Sequence, residues 1–313
     1  MEFPETLCNL VWLHELNFTW NQITFLPTSI AAFTNLKTLM LGTNRLSELP
    51  MEFSMLRSLE TLDLSLNSFN HIPQCIQHLK SLTSLDMSCN GIFVVPEFIG
   101  SLSFLTKLDL SNNKISYVPE ELSHLEKLTN LNLRSNELIA LPDALSALVS
   151  LKELDIAHNR LRFIPQSFFA MQNLKGLYAY ENAIEYVDPS LAPESSALTT
   201  LDLSKNSLCG VPPVFNKLSS LLTLNLSDNS LTDYPVLPKL LVNINIYIWI
   251  IYLFGFLILF GLFMFYNIFI FHLYFYKVSS IVFKFIFIHN NISKTISIFI
   301  SIFISIFIQI YLF

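Results

Sequence analysis

The sequence predicts an α/β solenoid: a curved, horseshoe-like stack of about ten similar units with a parallel sheet on its concave face and short turns or helical pieces outside. Three observations predict it. Asn21, Asn44, Asn67, Asn90, Asn113, Asn136, Asn159, Asn182, Asn206 and Asn229 recur at a step of 23 residues, broken once by a step of 24. Prolines from Pro4 and Pro27 to Pro212 and Pro235 keep the same step. Around each asparagine the apolar residues follow Leu-x-x-Leu-x-Leu-x-x-Asn-x-Leu-x-x-hydrophobic-Pro, as in Leu105, Leu108, Leu110, Asn113, Ile115, Val118 and Pro119. An enzyme site needs no polar residue at fixed intervals, whereas a stack of identical units does.

Taken in order along one unit, Leu108-x-Leu110 alternates with period two, which turns both side chains to one face of a short strand. The asparagine that follows is the polar exception in an apolar interior. Its amide can satisfy backbone groups where the chain leaves the strand, so the series stacks into a buried ladder. The proline fixes φ and withholds an N–H, which suits an extended turn on the convex side rather than a long helix. Each unit buries its leucines only against its neighbours, so stability is close to a nearest-neighbour sum. The glycosylation sequons Asn17-Phe18-Thr19 and Asn225-Leu226-Ser227 fall on strands and are read as structural.

A period of this length with this pattern reads as a leucine-rich repeat. The hydrophobic-Pro turn, with an apolar residue three positions on (Ile30, Ile76, Ile99, Leu122, Leu145), sharpens the match. Over about residues 3–245 the chain resembles the intracellular, 23-residue, Ras-group class of leucine-rich repeats, shared by Ras suppressor proteins, plant Ras-group repeat proteins and the repeat region of fungal adenylate cyclase. The resemblance implies a concave face that binds another protein, often a small GTPase or a phosphatase. In some protists similar arrays precede a 2C-type protein phosphatase domain, and no such domain follows here.

Charge and cysteines narrow the class further. Residues 246–313 hold three Lys and no Asp, Glu or Arg, so the repeat region carries 15 basic against 24 acidic residues, a net of −9. An acidic array argues against nucleic acid and favours a basic patch on a protein partner. Cys8, Cys75, Cys89 and Cys209 sit singly in their repeats, which points to reduced, buried thiols in a cytosolic protein and offers no zinc spacing. No basic leader precedes an apolar core at Met1–Pro4. The motif restarts at Leu237, Leu240, Val242 and Asn245, only 16 residues after Asn229, and then dissolves.

The residues beside the core leucines point outward. One row contains Asp63, Asp86, Asp109 and Asp155, read either as a solvated face that discourages aggregation or as an acidic docking stripe for a Lys/Arg-rich partner. The eighth unit departs most from the pattern: Ala179 replaces a core leucine, Tyr178 and Tyr180 project from the strand, Glu181 precedes Asn182, and Asp188 lengthens the unit to 24 residues. Tyr178, Tyr180, Glu181, His158 and Arg134 are the candidate contact patch, because aromatic side chains on a rigid face are common anchors. Two tyrosines filling space over a small alanine is the competing reading. No Gly-rich phosphate loop, nucleophile elbow or metal-spaced cluster occurs, so neither cofactor nor catalytic residue is expected.

The boundary falls near residue 245. Residues 246–276 are almost wholly Ile, Leu, Phe and Tyr, longer than the ~20 apolar residues a spanning helix needs, and residues 295–313 form a second candidate span. Lys277, Lys284 and Lys294 between or beside them run against the positive-inside tendency if both cross, and the Ser297-Ile298-Phe299-Ile300 pattern repeats in tandem. Two readings stand: a C-terminal membrane anchor, or read-through of A/T-rich non-coding sequence. The expected function is a non-catalytic signalling scaffold, cytoplasmic and membrane-associated through this tail. The alternative is a fragment of a larger repeat-containing enzyme, such as a 2C-type phosphatase, whose catalytic part is missing. A receptor ectodomain on a transmembrane stem is disfavoured by the absent leader and cysteine caps.

Overall fold

The computed structural model describes residues 3–187, 196–211, 215, 218–232 and the strand at 243–245. Every unit contributes one three-residue strand: β1 Glu15–Asn17, β2 Thr38–Met40, β3 Thr61–Asp63, β4 Ser84–Asp86, β5 Lys107–Asp109 and β6 Asn130–Asn132. The series continues through β7 Glu153–Asp155, β8 Gly176–Tyr178, β9 Thr200–Asp202, β10 Thr223–Asn225 and β11 Asn243–Asn245. All eleven pair in parallel and in sequence order as one sheet. Register is strict, with each central residue opposite its counterpart: Leu39, Leu62, Leu85, Leu108, Leu131, Leu154, Leu177 and Leu201 align in one file. These leucines, and those two positions on such as Leu110 and Leu133, are buried in one continuous apolar core.

On the other side, each ladder proline from Pro4 to Pro165 stands just ahead of a five-residue 3-10 helix, as Pro27 before Thr28–Ala32 and Pro119 before Glu120–His124. Pro119 is extended (φ −72°, ψ 150°), so the ring holds the approach and the helix starts directly after it. The convex layer is thus built of 3-10 turns, and no α-helix occurs among the described residues. Ile30, Phe53, Ile76, Ile99 and Leu122 carry each turn down onto the leucines.

The asparagine ladder bonds one unit to the next. Asn113 Oδ1 accepts the N–H of Ile92 in the preceding unit at 3.0 Å. Its Nδ2 donates to the Met87 carbonyl of that unit at 3.0 Å and to Leu110 and Ser111 of its own at 3.0 and 3.1 Å. Asn136 and Asn159 repeat the arrangement. The residue before every ladder asparagine has a positive φ, between 51° and 59°, and none of the ten is glycine. Left-handed backbone costs an L-residue roughly 1–2 kcal/mol. Here the flanking carbonyls are bound by the asparagine amide, and the left-handed residue's own N–H donates to the next unit, as Cys89 does to Ser111 at 2.9 Å.

Two sequence expectations change, and a third lies outside the described residues. Asn245 does not stand on the ladder: β11 pairs Asn225 with Asn245, so Asn245 occupies the strand-end position and Ile244 the core position opposite Leu224. Leu240, Val242, Ile244 and Ile246 alternate without a break, and a slip of four residues, being even, keeps the same face inward, so the pattern could not choose between the phases. The thiols are free but not uniformly buried: Cys8 and Cys75 are buried, Cys89 is half-buried and Cys209 is exposed. The apolar tail, its expected spans at 246–276 and 295–313, and Asp188 lie outside the described residues. Among the described residues no helix is long and apolar enough to cross a membrane.

Replacing Asn113 by alanine leaves the buried Ile92 N–H unpaired and takes one donor from each of the Met87, Leu110 and Ser111 carbonyls, and is expected to lower stability by about 1–3 kcal/mol in urea unfolding. Leu131→Ala, which opens a cavity instead, is expected to cost about 2–5 kcal/mol in the same measurement.

Candidate sheet-face interaction site

The outward row at the strand ends has a structural duty that its charge conceals. Asp63 Oδ1 accepts the backbone N–H of Ser65 at 2.8 Å, and Asp86, Asp109 and Asp155 do the same for Ser88, Ser111 and Ala157 at 2.9, 2.9 and 3.0 Å. Asn132 and Asn225 close the same turn with their amide oxygens. These are Asx turns that bend each strand toward the left-handed residue. One carboxylate oxygen per aspartate is therefore engaged, and the second faces outward; in Asp109 it accepts from Asn132 Nδ2 at 2.9 Å. Burial raises the carboxyls of Asp86 and Asp155 above the ordinary aspartate range; Asp63 and Asp109 add to the rise at Asp86, and Arg134 opposes it at Asp155.

Four of the five residues of the predicted patch, Arg134, His158, Tyr180 and Glu181, assemble into one network. Arg134 in the sixth unit reaches across Ala157 in the seventh to donate Nη1 to the Tyr180 hydroxyl in the eighth. Its Nη2 lies 3.0 Å from His158 Nε2, and His158 Nδ1 lies 3.0 Å from Glu181 Oε2. A guanidinium has no lone pair to offer. The neutral imidazole thus accepts at Nε2 and donates from Nδ1 to the carboxylate. Lys205 Nζ approaches the same Glu181 oxygen at 3.7 Å. The His158 ring meets Tyr180 edge-on at 5.2 Å, and the Arg134 guanidinium carbon sits 5.0 Å from that ring's centroid.

Tyr178 faces a different environment. Burial raises its phenol above the usual tyrosine range, reinforced by Glu153, which accepts its hydrogen bond, and by the charges of Asp155 and Asp202. Gly176 makes room for this contact: a Cβ there would lie 2.9 Å from the Glu153 carboxyl carbon and 3.1 Å from the Tyr178 ring. The rung is polarised, with Tyr178 amid carboxylates and Tyr180 against Arg134 and the His158 ring. Sequence reasoning did not single out Glu153, Gly176, Ala157 or Lys205. The available signal was one absence of bulk, Gly176, in a row that elsewhere carries larger side chains; Ala157 sits in a row of mostly small residues that includes Gly42.

Among the described residues no group of three or more His, Cys, Asp and Glu could hold a metal ion. Burial pushes the Cys75 thiol up to about 11, and burial with Asp86 and Asp109 raises that of Cys89, so neither is primed as a nucleophile.

Family profiles described as leucine-rich repeat region and leucine rich repeat match residues 33–139 and 149–208, together more than half of the chain. The chain belongs to the leucine-rich repeat proteins. A leucine-rich repeat protein from Leptospira interrogans superposes with a TM-score of 0.72 at 31% identity, over 78% of this chain and 62% of that one. The plant peptide hormone receptor RGFR1, in complex with RGF2, gives 0.64 at 28% identity, over 72% and 38%. The repeat ectodomain of the receptor kinase GASSHO1/SCHENGEN3 from Arabidopsis thaliana, in complex with Casparian strip integrity factor 2, gives 0.59 at 26%, over 72% and 31%. The chain thus spans less than two thirds of each of these proteins. A search of curated proteins found no match.

Asp86 tests the structural role of the leucine-rich repeat's strand-end row. Its folded carboxyl titrates above its unfolded value, so the folded state holds the extra proton and loses stability as pH rises through that window. Asp86→Asn keeps the acceptor for Ser88 and removes the buried charge. It is expected to melt at or above the wild-type temperature at pH 7, with the difference vanishing below the unfolded aspartate range. Asp86→Ala, which deletes the turn bond, is expected to lose about 0.5–1.5 kcal/mol relative to Asp86→Asn.

Proposed function

We propose that the array is a non-catalytic protein-interaction scaffold whose sheet face docks a partner at the sixth to ninth units. The observation that carries this reading is the interlocked set Arg134, His158, Tyr180, Glu181 and Lys205, drawn from four successive units. Half-buried aromatic and arginine side chains already held in one geometry lose little conformational entropy on binding. Tyr178, in its acidic surround, offers a ring to a cationic side chain, while Arg134 retains unbonded N–H groups for a carboxylate. The carboxylates of Asp63, Asp86, Asp109 and Asp155 extend the site toward the first units, for a partner segment rich in Lys or Arg, although both oxygens of Asp109 already accept a hydrogen bond.

The reading places the array in intracellular signalling, with the 23-residue Ras-group class as its subtype and a small GTPase or a phosphatase as the partner class to test first. Residues 246–313 would tether the repeats to the cytosolic side of a membrane through their apolar composition. Support for protein binding also comes from the complexes of RGFR1 and GASSHO1/SCHENGEN3 with their ligands, which share the fold.

Affinity capture with wild type and with Tyr178→Ala and Arg134→Ala, alongside melting curves, tests the site. The expected result is loss of the captured partner, with the melting temperature moving by no more than about 2–4 °C, the shift produced by roughly 1 kcal/mol. A clear drop in melting temperature with unchanged capture would mean that the network only braces the fold.

A further inference from the structure

A second exposed surface runs along the flank where the chain passes from the ladder asparagine to the convex turn. The unit pattern puts a buried residue two and five positions after each asparagine, here Ile92 and Val95, Ile115 and Val118, Leu138 and Leu141. The two positions between them face solvent. Across five successive units those positions hold Phe93 and Val94, Tyr117, Ile139, Phe163 and Tyr186, every one of them exposed. These six are among only sixteen exposed large apolar side chains in the described residues, so they form a concentration rather than scatter. Phe25 occupies the equivalent place in the first unit but is separated by Glu48 and His71.

The flank is rigid and continuous. Lys114, Glu137, Arg160 and Ala183 each donate a backbone N–H to the preceding unit at 2.8, 2.9, 2.9 and 3.0 Å, and Glu185 does so to Arg162 at 3.1 Å. The backbone bonds thereby hold Val94, Tyr117, Phe163 and Tyr186 at one repeat position and Phe93 and Ile139 at the position before it, with Ser116, Ala140, Arg162 and Glu185 in the remaining places of the two rows. An open cleft of about 460 Å³ lies between Val94 and Tyr117 and is lined by Glu97, Glu120 and Glu121. Asp143 continues that acidic border at the equivalent position of the next unit. No ion pair is made by any of these four carboxylates among the described residues, although Glu137, on the opposite border, is paired with Arg160 at 3.2 Å.

We infer that this flank docks a basic amphipathic helix of a partner protein. Its apolar face would cover the stripe from Phe93 to Tyr186, and its Lys or Arg side chains would meet the unpaired Glu97, Glu120, Glu121 and Asp143. Four unit steps at ~4.8 Å make a stripe about 20 Å long, matched by a helix of about 14 residues at 1.5 Å each. The inference is independent of the sheet-face site, since the two surfaces share no residue.

Fluorescence anisotropy with the full chain and a labelled synthetic helix of Leu and Lys, against a Leu/Glu helix of equal length and apolar content, tests it. The Leu/Lys helix is expected to bind at least about tenfold tighter, and the doubles Tyr117→Ser/Ile139→Ser and Glu120→Lys/Glu121→Lys to weaken it by about tenfold or more. Tyr180→Ala is expected to leave this binding unchanged, and unaltered melting of the flank variants shows that they fold. Equal binding of the two helices, wild-type binding by both flank variants, or loss of binding in Tyr180→Ala would overturn the inference. So would a concentration-dependent dimer in sedimentation that Tyr117→Ser/Ile139→Ser dissolves, because a second copy would then be the occupant.

Discussion

Everything in this protein hangs on one side-chain amide. Among the described residues, the ladder asparagine from Asn44 onward is the only side chain that bonds backbone groups of two units at once, taking an N–H and giving a hydrogen to a carbonyl of the unit before while closing its own turn. Without it, the left-handed residue that precedes it would stand next to unpaired buried carbonyls, and the chain would have no reason to leave the strand after three residues. With it, strain that would cost each unit on its own is held by bonds that exist only in the stack. The spacing from strand to amide is then fixed, while the 24-residue eighth unit tolerates its extra residue elsewhere, since Asn206 still takes the Ile184 N–H and donates to the Ala179 carbonyl at 3.0 Å each. Strict register along the sheet follows from that constraint, and rigid placement of outward side chains follows from the register.

The same device shapes the functional surface. A left-handed residue swings its side chain to the rim of the sheet, and His158, Glu181 and Lys205 all occupy that position. They can meet Arg134 and Tyr180, which lie one position earlier in their units, because the rim places them beside the outward row and not in line with it. The network therefore comes from an ordinary repeat backbone carrying unusual side chains. Small residues allow it. Ala157 leaves a trough that Arg134 crosses, and Gly176 leaves one that Glu153 fills.

Much of this was legible in the sequence because a repeat displays each constraint many times. Leu108 and Asn113 can be assigned roles with confidence drawn from nine equivalents of each, and the patch around Asn182 stood out as the unit that broke the rule. The Asx turns of Asp63, Asp86, Asp109 and Asp155 were not legible, since an outward aspartate looks the same whether its oxygen binds solvent or a backbone N–H two residues away. The positive φ at ten non-glycine residues was hidden for a related reason: Trp20, Leu66, His158 and Lys205 share no chemistry that would announce it. The phase of β11 was ambiguous because Leu240, Val242 and Ile244 satisfy either pairing.

The Asx turns also alter how the charge of the sheet face should be weighed. A row of aspartates counted from sequence suggests an acidic stripe that exists to attract cations. One oxygen of each is already committed to the backbone, and Asn17, Asn132 and Asn225 perform the same closure without charge. Since the neutral side chain suffices for the turn and burial disfavours the ionised one, folding alone gives no reason to prefer aspartate at Asp86 or Asp155. Carboxylates kept at a position where an amide would fold as well point to a use outside the fold. The same logic applies on the flank, where Tyr117 and Ile139 gain nothing from exposure while their buried neighbours already hold the unit together. In a scaffold this repetitive, the residues that folding does not require are the ones that carry information about partners.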